Sequence, residues 1–248
     1  MSPLFFTLPL ITAVICLTGC DSSKENLTPT RPAETAAPVE SPPDIPILPL
    51  TEGDHWIYRV HLEIPAGITS PSAAELDSHH PLTRTYLGKI SPAEGLPRVD
   101  CFEVVAPALP VEREFVDIHP DRILMRGSML MRPETTHPMW LDPPVPLIIA
   151  GMKPGSESPE IKALSGGLSR KTQIIARETV TVPAGTFPSI RLLMTGMDGE
   201  LELRRTLWFT PRIGIVREEK IRHRLGKLIF RETHELTETN LHPAAPPP

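Results

Sequence analysis

The side chains that could carry chemistry are few and mostly far apart. Nine histidines invite a metal site. His55 and His61 share one face of a probable strand but lie six positions apart, about 20 Å along an extended chain, so they cannot hold one ion together. His79 and His80 are neighbours in a polar stretch, where loose metal binding is the most they offer. Glu200 and Glu202 would project from one strand face roughly 7 Å apart, a spacing that overlaps that of glycosidase carboxylates. Acidic pairs of this kind are common on solvent-facing strands, and Arg204 and Lys220 are available to pair with them. The GxSxG elbow, the HExxH helix, the Walker loop, the CxxC pair and the SxxK motif are all absent. The residues therefore name no catalytic group, no metal site and no cofactor, and a hydrolase is the third-ranked reading.

Charge is distributed unevenly. From Arg204 to Arg231 nine Lys or Arg face only Glu218 and Glu219, a local +7 in a chain of net charge −5. Lys220, Arg222 and Arg224 fall on one strand face by their period of two. Such a face could meet an anionic partner or headgroup, or stand in solvent and pair with acids elsewhere in the fold. The overall negative charge speaks against a nucleic-acid partner.

The three cysteines have separate places. Leu17-Thr18-Gly19-Cys20 follows the apolar run Leu4 to Leu17 and precedes a polar, proline-rich stretch. The run has the length of a signal peptide and is short of the about 20 residues a membrane helix needs. Met1-Ser2-Pro3 carries no Lys or Arg. The order of elements resembles the lipobox of bacterial lipoproteins. That resemblance implies removal of residues 1–19 and lipidation of Cys20 with diacylglycerol and acyl (palmitate) chains. About two chains suffice for stable anchoring. It places the protein in the bacterial cell envelope, held on a membrane with its domain facing the periplasm or the exterior. Asp21 resembles the inner-membrane retention signal of enteric lipoproteins. Cys16 would leave with the signal peptide, so Cys101 stands alone and no intramolecular disulfide is expected. Its surroundings, Val99-Asp100-Cys101-Phe102-Glu103-Val104-Val105, read as a strand with a buried, inert thiol.

Residues 20–49 form a lipidated tether, with seven prolines after Cys20 among small and polar residues. This composition buries too little apolar surface to offset chain ordering. Its length spans roughly 30 Å as a coil and about 90 Å if fully extended as polyproline. Residues 242–248 read as a disordered tail. Between them, residues 50–241 form a single domain.

That domain reads as all-β. Thirty-one prolines oppose long helices. After a turn at Gly53-Asp54, Trp56, Tyr58, Val60, Leu62 and Ile64 alternate with polar residues, and only Ile57 breaks the period of a half-buried strand. Residues 68–81 read as a loop, 83–90 and 99–105 as strands, and 115–126 as a hairpin turning at His119-Pro120-Asp121. The proline-dense stretch Trp140 to Pro146 reads as a crossing loop that plugs the core, and a short helix is conceivable over 159–164. From Lys171 onward, alternating segments are separated by Pro183-Ala184-Gly185, Gly196 to Gly199, Pro211 to Gly214 and Leu225-Gly226. They form a C-terminal five-strand antiparallel meander.

Three segments carry a family resemblance: Gly53 to Tyr58, Val180 to Phe187 and Trp208 to Val216. They resemble the "GDxWxY", "VPAGTF" and "WYxPxxGxV" pieces of bacterial envelope proteins, some of which sit near the LolA/LolB-like lipoprotein-carrier half-barrels. The resemblance implies a curved antiparallel sheet or half-barrel around an apolar cavity, with Gly185 in a special turn conformation. It assigns no reacting group. The leading expectation is a non-catalytic, lipid-anchored binding protein that holds a lipid or other apolar ligand or meets an envelope protein partner. The alternative is an assembly module of an envelope complex with no small ligand.

Overall fold

The computed structural model describes residues 47–65, 79–107, 109–133, 137–162 and 169–242. Residues 1–19 read as a signal peptide, Cys20, nearly all of the stretch read as a tether and the last six residues of the chain lie outside these. So do residues 163–168 and most of the stretch read as the 68–81 loop.

Twelve strands follow one another: β1 (His55–Glu63), β2 (His79–Ile90), β3 (Val99–Val105), β4 (Glu112–Ile118), β5 (Arg122–Leu130), β6 (Met139–Ile149), β7 (Ile161–Lys162), β8 (Ser169–Val182), β9 (Gly185–Asp198), β10 (Leu201–Thr210), β11 (Gly214–Arg224) and β12 (Lys227–Thr239). All are antiparallel in one sheet of order β6-β5-β4-β3-β2-β1-β12-β11-β10-β9-β8-β7. The sheet is thus two six-strand meanders joined where the first strand pairs with the last. Within each meander every strand lies beside its sequence neighbour, the arrangement that short turns impose.

The sheet curls into a nearly closed barrel. On the far side from the β1–β12 junction, Thr172 on β8 donates its hydroxyl to the carbonyl of Pro146 on β6 at 2.6 Å. The connection between the meanders adds a bridge from Glu157 to Gln173 and a hydrogen bond from the Ser158 amide to the Thr172 carbonyl.

The C-terminal meander has the five long strands its alternation predicts, β8 to β12. Its turns fall at Pro183-Ala184, Gly199-Glu200, Pro211 to Ile213 and Leu225-Gly226. Gly185 has φ +137°, a conformation that side chains strain to adopt. Gly196 and Met197 belong to strand β9, so the turn there is tighter than the sequence suggests.

Three readings need correction. Residues 139–149 are strand β6, not a plugging loop. Asp142, Pro143 and Pro144 sit where the β5–β6 register shifts between Met125 and Gly127, so the missing donors of these two prolines interrupt no ladder. β6 is also the last strand of the sheet, where proline is tolerated. His79 and His80 begin β2 and pair with His61 and Val60, rather than lying in a loop. Ile161 and Lys162 are a short strand on β8, where a helix was conceivable.

The interior is layered. One layer is hydrocarbon: Trp56, Tyr58, Leu192, Leu207, Phe209 and Leu236 are all at most 3% exposed. A second apolar cluster of Val99, Cys101 and Phe115 lies on the opposite face of β3 and β4, with Trp140 and Met129 packed on it. Both faces of β3 are therefore covered, which explains its nearly continuous burial. The other interior layer is charged.

Candidate functional site

The charged layer follows from strand parity. On β11 the side chains at 216, 218, 220 and 222 share a face. Val216 is fully buried and Glu218 is only 5% exposed, so this face points inward; it carries Lys220 toward the interior and Arg222 to its solvent-exposed edge. On β12 the same holds for Leu236, His234 and Glu232. Arg205 on β10, Arg84 on β2 and Glu114 on β4 complete the layer. Cross-strand register aligns Arg205 with Lys220 and Lys220 with Glu232.

These groups form one network. Glu114 pairs with Arg84 at 2.7 Å and reaches Arg205 at 3.9 Å. Arg205 also binds Glu218 closely through its Nε. Lys220 lies 3.7 Å from Glu218 and 3.9 Å from Glu232. His234 Nε2 is 2.6 Å from Glu232, and its Nδ1 is 3.6 Å from Glu218. Tyr58 stands over the His234 ring and donates its hydroxyl to the Ile215 carbonyl at 2.8 Å.

Burial opposes ionisation throughout, and the pairings decide the outcome. Burial alone would raise the carboxyl pKa of Glu218, but Arg205, Lys220 and His234 hold it far below the usual value. Glu232 is likewise raised by burial and pulled down, chiefly by Lys220 and His234, to about 2. Glu114 is lowered because Arg84 and Arg205 outweigh its burial. Lys220 is raised, since Glu218 and Glu232 more than offset its desolvation. Glu112 goes the other way: burial, then the neighbouring Glu114, push its pKa up. Burial also pushes the Tyr58 hydroxyl well above its ordinary range.

The layer borders a partly open cavity of about 210 Å³. Charged groups of β2, β4, β10, β11 and β12 line it, and Leu82, Val104 and Phe230 supply apolar wall. Beside it, an apolar pocket between Trp56, Phe102, Leu147 and Phe209 encloses about 30 Å³, comparable with the roughly 30 Å³ share of one water molecule. An acyl chain finds no space there.

Of the residues singled out in the sequence, the structure brings Lys220 and Arg222 to this cavity. Arg224 turns to the rim, 3.4 Å from Glu200. Lys220 pairs with Glu218 and Glu232, not with Glu200 or Glu202. Glu114, Glu232, His234 and Arg84 were not legible as members of a site. Cys101 is fully buried, and burial pushes its thiol up to about 11. Among the described residues no three His, Cys, Asp or Glu converge as metal ligands.

The segments that carried the family resemblance meet in space. Trp56 of the first donates its indole N–H to the carbonyl of Ile213 in the third at 2.6 Å. Gly214, at φ +99°, lets that turn press on the ring; a Cβ there would lie 3.3 Å from Trp56 Nε1. Trp208 donates to Glu178 at 2.7 Å, on the strand that carries the second segment.

Two solved structures resemble this barrel. One is a candidate lipoprotein from Parabacteroides distasonis ATCC 8503, 14% identical, covering 79% of this chain and 99% of its own, with a TM-score of 0.43. The other is a candidate exported protein with a YmcC-like fold from Bacteroides fragilis NCTC 9343, 15% identical, covering 78% and 98%, with a TM-score of 0.39. No protein-family model matches the chain, and no curated protein matches it. Since one fold hosts many functions, the reading of this site rests on its own geometry.

Proposed function

We propose that this chain is a lipid-anchored bacterial cell-envelope protein whose β domain acts by binding and not by catalysis. The observation that carries the binding role is the charged cavity. Most of its acids and bases pair with one another in fixed geometry, and among the described residues no hydroxyl or thiol nucleophile with an adjacent base lines it. Tyr58, the one hydroxyl at its wall among the described residues, is committed to the Ile215 carbonyl. The layer suits recognition of a small polar molecule better than storage of an acyl chain, because the interior space is charged and the hydrocarbon layer is filled.

The anchor rests on Leu17-Thr18-Gly19-Cys20 and the proline-rich tether after it. Asp21 favours the inner membrane. Replacing Cys20 by Ala should move the protein from the membrane fraction to the soluble fraction or stall its processing. Unchanged fractionation would sink the anchor. Native mass spectrometry of the protein purified from its own membranes tests the binding role, since a small bound molecule should accompany the wild-type chain.

A second reading, an assembly module of an envelope complex, draws on one feature. Val105, Leu130 and Met139 are exposed large hydrophobics at the ends of β3, β5 and β6 that lie toward Glu112 on β4. This apolar rim could seat a protein neighbour.

A further inference from the structure

Within the charged layer the ion pairs leave two groups over. Four carboxylates (Glu112, Glu114, Glu218 and Glu232) and four Arg or Lys side chains (Arg84, Arg205, Lys220 and Arg222) line the same cavity, with His234 beside Glu218 and Glu232. Glu114, Glu218 and Glu232 are paired with Arg84, Arg205 and Lys220. Glu112 and Arg222 form no ion pair within 4 Å among the described residues, although Glu112 keeps a side-chain hydrogen bond with Ser128. Arg222 only lies over the Phe230 ring, 5.1 Å from its centroid.

These two groups come from opposite walls. β4 and β11 are separated by four strands along the sheet, and Glu114 on β4 touches Arg205 on β10 across the interior. Glu112 is one inward-facing step from Glu114. Arg222 is one such step from Lys220, which is opposite Arg205 in register. The leftover acid and the leftover base therefore belong to the layer next to the closed network, with empty space between them.

The geometry points to a site for a small zwitterion, an amino-acid-like molecule whose ammonium group meets Glu112 and whose acidic group meets Arg222. A ligand of this class brings each leftover group an opposite charge and adds no net charge to the cavity. A simple anion would leave Glu112 without a countercharge where burial already opposes its ionisation, and a simple cation would leave the exposed Arg222 unused. The size agrees, since about 210 Å³ holds about seven water-sized groups at roughly 30 Å³ each. Val104, Leu82 and Phe230 offer an apolar wall for a short side chain. The inference rests on the binding role proposed above and names its ligand class.

The test is calorimetric titration of the full-length protein in detergent with glycine, L-alanine, L-valine and β-alanine. N-acetyl-L-alanine and L-alaninamide, each lacking one charge, serve as controls. At least one of the four should bind saturably, and both controls should bind about ten-fold more weakly or worse. Glu112→Gln and Arg222→Gln should each weaken binding by about ten-fold or more. Arg222→Gln should leave the thermal midpoint in place, since the side chain is exposed and holds no ion pair, and Glu112→Gln should not lower it, since burial and Glu114 disfavour the carboxylate. Val104→Phe, which narrows the cavity and leaves both charges in place, should also weaken it. Equal binding of either control, or unchanged binding by both charge-neutralised variants, overturns the zwitterion site. So does no binding by any of the four. If that happens while native mass spectrometry shows a different bound molecule, the ligand class alone falls. If the protein also carries nothing, the binding role falls with it.

Discussion

Glu114 on β4 and Arg205 on β10 approach to 3.9 Å across the barrel interior, although five strands separate them along the sheet. The contact couples the two meanders through charge. Arg205 holds Glu218 and Glu114 at once, so its loss takes a partner from both meanders. Replacing a whole buried ionic cluster with apolar groups can be neutral, whereas removing one partner leaves an uncompensated ion.

Arg205→Met should therefore destabilise the fold by about 3–5 kcal/mol. Denaturant unfolding followed by tryptophan fluorescence measures this. A loss below about 1 kcal/mol, the range of surface ion pairs, would show that the network is solvated enough to be dispensable.

The same network sets an acid limit on stability. Glu114, Glu218 and Glu232 all have depressed pKa values in the fold. A depressed carboxyl contributes stability that is complete above its unfolded value and is lost as pH falls toward its folded value. For Glu232 the window runs from the ordinary 4.5 down to about 2, worth about 3 kcal/mol at most. Glu112, with a raised pKa, acts in the opposite sense and recovers some stability on protonation. The three depressed groups outnumber it, so the thermal midpoint should be flat above about pH 5 and fall steeply between pH 4.5 and 2. Glu232→Gln should make that fall shallower. An equal slope in the variant would remove Glu232 from the account.

Trp56 and Gly214 act as one unit. The indole N–H satisfies the Ile213 carbonyl at 2.6 Å, and the glycine leaves room for the ring. Trp56→Phe should cost about 1–3 kcal/mol, since it orphans a buried carbonyl and opens a void. Gly214→Ala should cost a similar amount through its positive φ and its 3.3 Å approach to the ring. The double variant should cost less than the sum, because each change already loosens the same contact. Strict additivity in a double-mutant cycle would show that the turn and the ring are independent.

Strand order in the C-terminal half was legible because glycine and proline mark its turns and apolar residues alternate between them. Residues 139–149 were misread for a local reason: three prolines oppose a strand unless they fall in a bulge at a sheet edge, and the sequence does not say which strand is last. The charged layer was hidden more deeply. Glu218, Lys220 and Arg222 have the same period of two as a solvent face, so the pattern alone permits either orientation. The clue was parity, since Val216 shares their face on β11 and Leu236 shares that of His234 and Glu232 on β12. Which face turns inward is decided by Glu114 and Arg84, about a hundred residues away or more. Lys220 and Arg222 were therefore picked out for their charge, but their neighbours were not.

Cys101 offers a probe of the fold that is independent of charge. It is fully buried between Val99 and Phe115, in the apolar cluster on the opposite face from the charged layer. Burial pushes its thiol up to about 11, so the thiolate that reacts with alkylating agents is scarce at neutral pH. Alkylation by iodoacetamide, followed on the Cys101 peptide by mass spectrometry, should be negligible in the native protein at pH 7.5 and complete in denaturant. The native rate should rise in Arg205→Met in proportion to its loss of stability if exposure requires global opening. Fast labelling of the wild-type chain would mean that β3 opens locally, and would place the weak point of the barrel in the N-terminal meander.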